Sequence, residues 1–325
     1  MERYMPTSPV FLPPLEDNAL VVVFGGSGFL GRHIVRRLAK ANYRIRVAVR
    51  RPNEALFVKT CGRVGQVEIV AANIRDDGSV VAALEGADAV VNTVGILYET
   101  GPQKFDAVQA DGAARLAKAA ADAGIDRFVQ LSAIGADAAS ESHYARTKAQ
   151  GEQAVQAQIA NAHILRPSIV VGPEDDFFNR FAGMAMLAPA LPLIGGGLTR
   201  YQPVTVYDVA NAVAACLAGA QPGIYELGGP QEFSFRALME MLLKQICRER
   251  LLLPLPFAAA SVIAGFAQFM PKPLLTPDQL ILLKSDNVAA ADMPGFDALG
   301  LTPMPIEAIL PDYLARYRPQ GKKTA

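Results

Sequence analysis

The sequence predicts an α/β fold: a doubly wound parallel sheet with helices on both faces, joined to a smaller, mostly helical C-terminal region. Three observations carry this. From Leu20 to about Leu227, short β-rich runs alternate with helical stretches, the pattern of a parallel sheet wrapped by helices. Runs such as Val21–Phe24 are apolar throughout, as strands buried on both faces are. Residues 21–35, VVVFGGSGFLGRHIV, pass from strand through a glycine-rich turn into an amphipathic helix start.

Size and composition set the frame. With 325 residues and 34.6 kDa, the chain has room for one large α/β domain and an appended smaller region. Residues 1–18 carry four prolines and read as an extended arm. That arm has no apolar signal core and no Arg/Ser-rich presequence, which points to a bacterial-type cytoplasm. Formal net charge is zero, so no nucleic-acid footprint is expected. Cys61, Cys216 and Cys247 lie far apart without metal-type spacing, and read as buried thiols in a reducing compartment.

Gly25, Gly28 and Gly31 form G-x-x-G-x-x-G between a strand and a helix. Gly25 lets the chain turn, Gly28 lets a pyrophosphate approach the backbone, and Gly31 lets helix and strand pack closely. The backbone N–H groups of the helix start, with the helix dipole behind them, then suit an anion. Residues 19–170 are therefore read as a dinucleotide-binding domain, completed by a segment at about 203–228. Residues 171–202 and 229–325 make up the smaller docking or substrate region.

The second strand, RIRVAV (44–49), runs into Arg50 and Arg51. A carboxylate here would grip a ribose hydroxyl, whereas arginine suits the extra phosphate of NADP. The third strand (67–72) leads into Asn73-Ile74-Arg75-Asp76, placed to flank an adenine. The fourth (88–93) ends in Thr93-Val94-Gly95, small enough for a cofactor to lie against the backbone.

A helix over Gln103–Ala123 and a fifth strand (127–132) follow. Tyr144 and Lys148 then sit at i and i+4 on one face of a helix over Tyr144–Ala160. A nearby cation lowers a tyrosine pKa and fits it for general acid–base work. Strands at 162–167 and 223–228 complete the alternation. Between them, residues 173–204, rich in Pro, Gly and aromatics, read as a looped insertion over the ligand edge.

Residues 251–270 carry no charge, and Pro254 and Pro256 leave about 14 helical residues, roughly 21 Å long. That is short of the roughly 30 Å of a bilayer core, so the segment does not span a membrane. Its polar stripe is only Ser261 and Gln268. Two readings stay open: burial inside a small domain, or docking on a partner or membrane interface.

GGSGFLG, the fifth-strand serine and Tyr144-Ala-Arg-Thr-Lys148 resemble an extended short-chain dehydrogenase/reductase, which implies a Rossmann-type fold. Over nearly the whole chain the resemblance narrows. VFGGSGFLGRHIV, LRPSIVVGPEDDFFNRFA, QPVTVYDVA, the apolar helix opened by LPLPF and LTPDQLILLKSDNV resemble the NADPH-binding 39 kDa accessory subunit family of respiratory complex I. The resemblance implies NADPH held by Gly25, Ser27, Gly28, Phe29, Leu30, Gly31, Arg50, Asn73, Ile74, Thr93, Val94, Gly95, Ser132, Tyr144, Lys148, Pro167 and Ile169. It also implies complex I subunits as partners, peripheral contact with the membrane through the 257–270 helix, and a place on the cytoplasmic side of a bacterial inner membrane.

In active reductases Tyr and Lys hold the nicotinamide ribose while a serine polarises the substrate carbonyl. Here the fifth strand ends in Leu131-Ser132-Ala133-Ile134, so Ala133 or Ile134 can fall at the usual serine position. Ser132, Ser140 and Ser142 are the alternatives. Two functions follow: a subunit that holds NADPH without turnover, or an NADP-dependent reductase or epimerase, such as one of quinone metabolism, using Tyr144 and Lys148.

The remaining polar residues read as structural. His33 belongs to a helix face, His143 neighbours Tyr144, and His163 packs at a strand start. Asp175 and Asp176 have no third ligand at metal spacing and read as a solvated loop, and no metal is expected. Asp208 reads as a cap or anchor of the helix that follows it.

Overall fold

A computed structural model describes residues 13–267, 273 and 275–319. Its strands, in chain order, are β1 Leu20–Phe24, β2 Arg44–Val49, β3 Val67–Ala71, β4 Ala89–Asn92, β5 Phe128–Leu131, β6 His163–Pro167, β7 Val170–Val171, β8 Ala190–Ile194, β9 Arg200–Tyr201, β10 Val204–Thr205, β11 Gly223–Leu227, β12 Phe233–Ser234 and β13 Leu251–Leu255. The α-helices are α1 Phe29–Lys40, α2 Asp77–Leu84, α3 Asp111–Asp122, α4 His143–Gln158, α5 Phe178–Leu187, α6 Val206–Leu217, α7 Phe235–Gln245, α8 Phe257–Ala267, α9 Pro277–Leu282 and α10 Leu310–Leu314.

Seven strands form one all-parallel sheet in the order β11-β6-β5-β4-β1-β2-β3. The order reverses between β1 and β4, which opens a crevice at their carboxyl ends. Each face is covered. Ile34, Val35 and Leu38 of α1 and Val209, Val213 and Leu217 of α6 pack on one side with Val21, Val23 and Val47. Leu116, Ala117 and Ala120 of α3, Val155 of α4 and Val80 of α2 pack on the other with Val22 and Phe24. β1 is apolar throughout because both its faces are dry, whereas edge strand β3 is only partly buried and carries Glu68.

Several expectations need correction. The looped insertion at 173–204 contains α5 and β8, and Phe178, Ala182, Leu191 and Leu193 lie in a third core with Leu238, Met239, Leu310 and Leu314. The C-terminal region carries α7 to α10 and adds two small strand pairs: β13 pairs in parallel with β8, and β12 pairs antiparallel with β9. Pro254 sits within β13 because an isolated two-strand pair leaves edge positions that need no N–H. The 1–12 part of the arm and residues 268–270 of the apolar stretch lie outside the described residues. Cys61 and Cys216 are buried, but Cys247 is only half-buried and takes a positive φ of 52° just past α7.

Candidate functional site

The residues singled out around the crevice all lie at or beyond the carboxyl ends of the parallel strands, or on α4. Gly25–Gly31 joins β1 to α1. Gly25 has φ +78°, and a Cβ there would meet Thr93 Oγ1 at 2.7 Å. A Cβ at Gly31 would come within 2.3 Å of the Gly25 carbonyl oxygen, so only glycine lets α1 start this close to β1. Gly28 is exposed and crowded only by that carbonyl. No side chain caps α1 and its first turn holds no acid, so the amides of Phe29, Leu30 and Gly31 are its end donors. Arg32 turns back to Ser27 O at 3.0 Å and fixes the turn.

Arg50 follows β2 and is exposed, while Arg51 pairs with Glu54 at 3.1 Å. Asn73 is taken up locally, its Oδ1 accepting from Arg75 N. Ile74 is buried against Gly112 of α3, and its carbonyl accepts from Arg115. Thr93 donates to Phe24 O at 2.7 Å, tying β4 to β1 beneath the crevice. Val94 and Gly95 follow, and a Cβ at Gly95 would sit 3.3 Å from Lys148 Nζ.

Ser142 caps α4 by accepting from Ala145 N. One turn in, Lys148 is buried, donates to Leu131 O at 3.2 Å and stands 5.9 Å from the centre of the Tyr144 ring. Burial lowers its pKa to about 8, against the pull of Glu152. The Tyr144 phenol moves the opposite way from the expectation of a lowered pKa. Burial and then the Asp278 carboxylate push it up to about 12. A phenol so placed stays protonated near neutral pH.

Ser132 ends β5 with a buried Oγ that has no partner, and Gln109 Oε1 is buried without one. Such orphans are costly unless a ligand supplies the missing bond. Together with the glycine cradle and the under-bonded Lys148 ammonium, they fit a dinucleotide lying across the switch point. Pro167 ends β6 and Ile169 lies just past it, on the same edge. Of the other serines, Ser142 is wholly buried and donates to Asp278, so it is not available to a substrate.

The lesser residues fall into structural roles, with two corrections. Asp175 is not solvated: it is buried, accepting from Gly172 N and the Tyr313 hydroxyl. The cap of α6 is Thr205, while Asp208 accepts from Met304 N and tethers the C-terminal chain. His33 is buried against Glu174, His163 meets Ala220 O, and His143 meets Asp106 beside Phe105. No group of three or more metal-type side chains occurs among the described residues.

Sequence reasoning missed Asp278 and Asn287. Asp278 reaches α4 from a distant segment, and Asn287 Oδ1 accepts from Ser168 Oγ and Ile169 N. Both lie in LTPDQLILLKSDNV, where Thr276 and Gln279 mark a helix start but nothing local shows that Asp278 and Asn287 bond to distant segments.

A family model described as the NAD dependent epimerase/dehydratase family matches residues 21–228, from β1 through β11. The chain belongs to that family. Within it, the chain is 35% identical over 319 residues to NADH dehydrogenase (ubiquinone) 1 alpha subcomplex subunit 9, mitochondrial, of Arabidopsis thaliana, covering 94% of this chain and 79% of that one. The subunit 9 of Rattus norvegicus is 30% identical over 307 residues, covering 93% and 81%. A ceramide reductase of Caulobacter vibrioides is 33% identical over 212 residues, 65% of each chain. Among solved structures, gox2253 matches with a TM-score of 0.73 at 22% identity, covering 94% of this chain and 99% of that one. A dTDP-glucose 4,6-dehydratase from Bacillus anthracis in complex with NAD matches at 0.71 and 17%, covering 92% and 96%. These structural likenesses show the fold, which is of the NAD(P)-binding Rossmann type.

Proposed function

We propose that this chain is an accessory subunit of a proton-pumping NADH:quinone oxidoreductase that holds NADPH without turning it over. It would sit on the peripheral arm near the quinone site, against the membrane surface through α8, on the cytoplasmic side of a bacterial inner membrane. The observation that supports this is reach. The broad family model stops at residue 228, whereas likeness to the subunit 9 proteins covers 94% of the chain and so continues into the C-terminal region.

NADPH, when bound, supplies a hydride-bearing nicotinamide and an extra ribose phosphate. The amides of Phe29, Leu30 and Gly31 would hold the pyrophosphate, Arg50 the 2′-phosphate, and Tyr144 and Lys148 the nicotinamide ribose. Thr93-Val94-Gly95, Asn73 and Ile74 would flank the remaining length, with Ser132, Pro167 and Ile169 beyond it.

The reductase reading keeps two supports: the tyrosine and lysine pair is intact, and the Caulobacter relative is named a ceramide reductase. Purification from native membranes separates the two. The subunit reading expects other chains of the quinone oxidoreductase to co-purify, with NADPH as the released nucleotide. A protein that runs alone and oxidises NADPH with a quinone or sugar, at a rate abolished by Tyr144→Phe, would sink it.

A further inference from the structure

The stretch from Thr276 to Asn287 lies between the apolar helix α8 and the crevice, and touches both. Thr276 and Gln279 open α9 with a reciprocal capping box. Asp278, one residue into that helix, bonds outside it. Its Oδ1 accepts from His143 N at 2.6 Å, and its Oδ2 accepts from Tyr144 N at 3.2 Å and Ser142 Oγ at 2.8 Å. A carboxylate from a distant segment thus meets the positive end of α4, the helix that carries Tyr144 and Lys148.

The segment's other end is fastened as firmly. Asn287 N donates to Arg200 O, its carbonyl accepts from Gln202 N, and its side chain holds Ser168 and Ile169 past β6. Leu280 is buried against Ala260 and Ala264 of α8. One short strap therefore touches the start of α4, the end of β6 and the inner face of α8.

We propose that segment 276–287 couples cofactor occupancy to the seating of α8, with Asp278 as the positioning residue. The inference rests on the dinucleotide reading of the crevice. A ribose held by Tyr144 and Lys148 fixes the first turns of α4, and Asp278 bonds to that same turn. Whichever side is ordered first lowers the entropy cost of ordering the other. The coupling is reciprocal, so a change confined to the α8–α9 contact must weaken nucleotide binding.

Hydrogen exchange on the full-length protein, with NADPH as the probe, tests this. Saturating NADPH should slow exchange at 25–31 and also across 276–287. In Asp278→Asn the first protection should persist and the second disappear. Leu280→Ala, which trims the packing on Ala260 and Ala264, should weaken NADPH by about fivefold or more, the lower range of such couplings. Val213→Ala, a cavity in the α6 core, controls for simple loss of stability and should leave the coupling in place. Protection at 25–31 with none at 276–287 overturns the coupling alone, as does full strap protection in Asp278→Asn. Absence of protection at 25–31 overturns the cofactor reading and the coupling with it.

Discussion

Arg50 is the residue on which cofactor choice turns. It stands exposed past β2 and, among the described residues, no ion pair occupies it, while neighbouring Arg51 is engaged by Glu54. A free guanidinium at this edge suits a dianionic 2′-phosphate and has little to offer the 2′-hydroxyl of NADH. Arg50→Ala is therefore expected to weaken NADPH by about tenfold or more, the size of a lost charge-assisted contact, and to leave NADH nearly unchanged. Nucleotide titration by fluorescence reads both. Equal losses would remove the NADP assignment. The glycine spacing and Arg50 were legible because each acts through its local chain. Asp278 was not, since its role depends on a contact 134 residues away. Nor was the burial of Asp175, which depends on Tyr313 arriving from the far end of the chain.

Among the elements, α8 carries the opposite lesson. Its sequence is apolar nearly all round, and no periodicity shows which face is inside. The fold decides: Ala260 and Ala264 face α9, while Val262, Ile263 and Phe266 point outward, Phe266 with 78% of its surface exposed. Small residues inside allow close approach, and among the described residues the large ones are left largely uncovered. Leu251 and Leu253 of β13 are exposed as well. Exposed apolar clusters of this kind mark interaction surfaces. Among the described residues no helix is long and apolar enough to cross a membrane. Phe266→Asp should consequently release the protein from native membranes or from its complex on flotation or sedimentation. Because the side chain is mostly exposed, thermal stability should change little and NADPH should be retained. Loss of NADPH together with stability would place α8 in the protein's own core instead.

At the scale of the molecule, the sheet was readable from the chain because short β-rich runs alternate with helical stretches, and those runs fall at β1 through β6 and β11. The C-terminal region was not, because its two-strand pairs and short helices form only when distant segments meet. Burial also sets the molecule's response to pH. It lowers the pKa of His33 and His163, so their contribution to stability rises up to about pH 6.5, while burial raises Asp175 and Asp208, whose contribution falls as pH climbs above about 4. Lys148, at about 8 when folded, adds a second rise between about pH 8 and its unfolded value near 10.5. Burial raises Cys216, Tyr144, Tyr201 and Tyr313, whose unfolded forms ionise first, so stability falls from about pH 9 upward. Denaturation of the nucleotide-free protein should accordingly show greatest stability between about pH 7 and 9. In Lys148→Met the rise above about pH 8 should vanish and the decline set in sooner, because the buried ammonium no longer loses its proton on folding. An unchanged profile in that variant would mean that the lysine keeps its charge in the folded crevice.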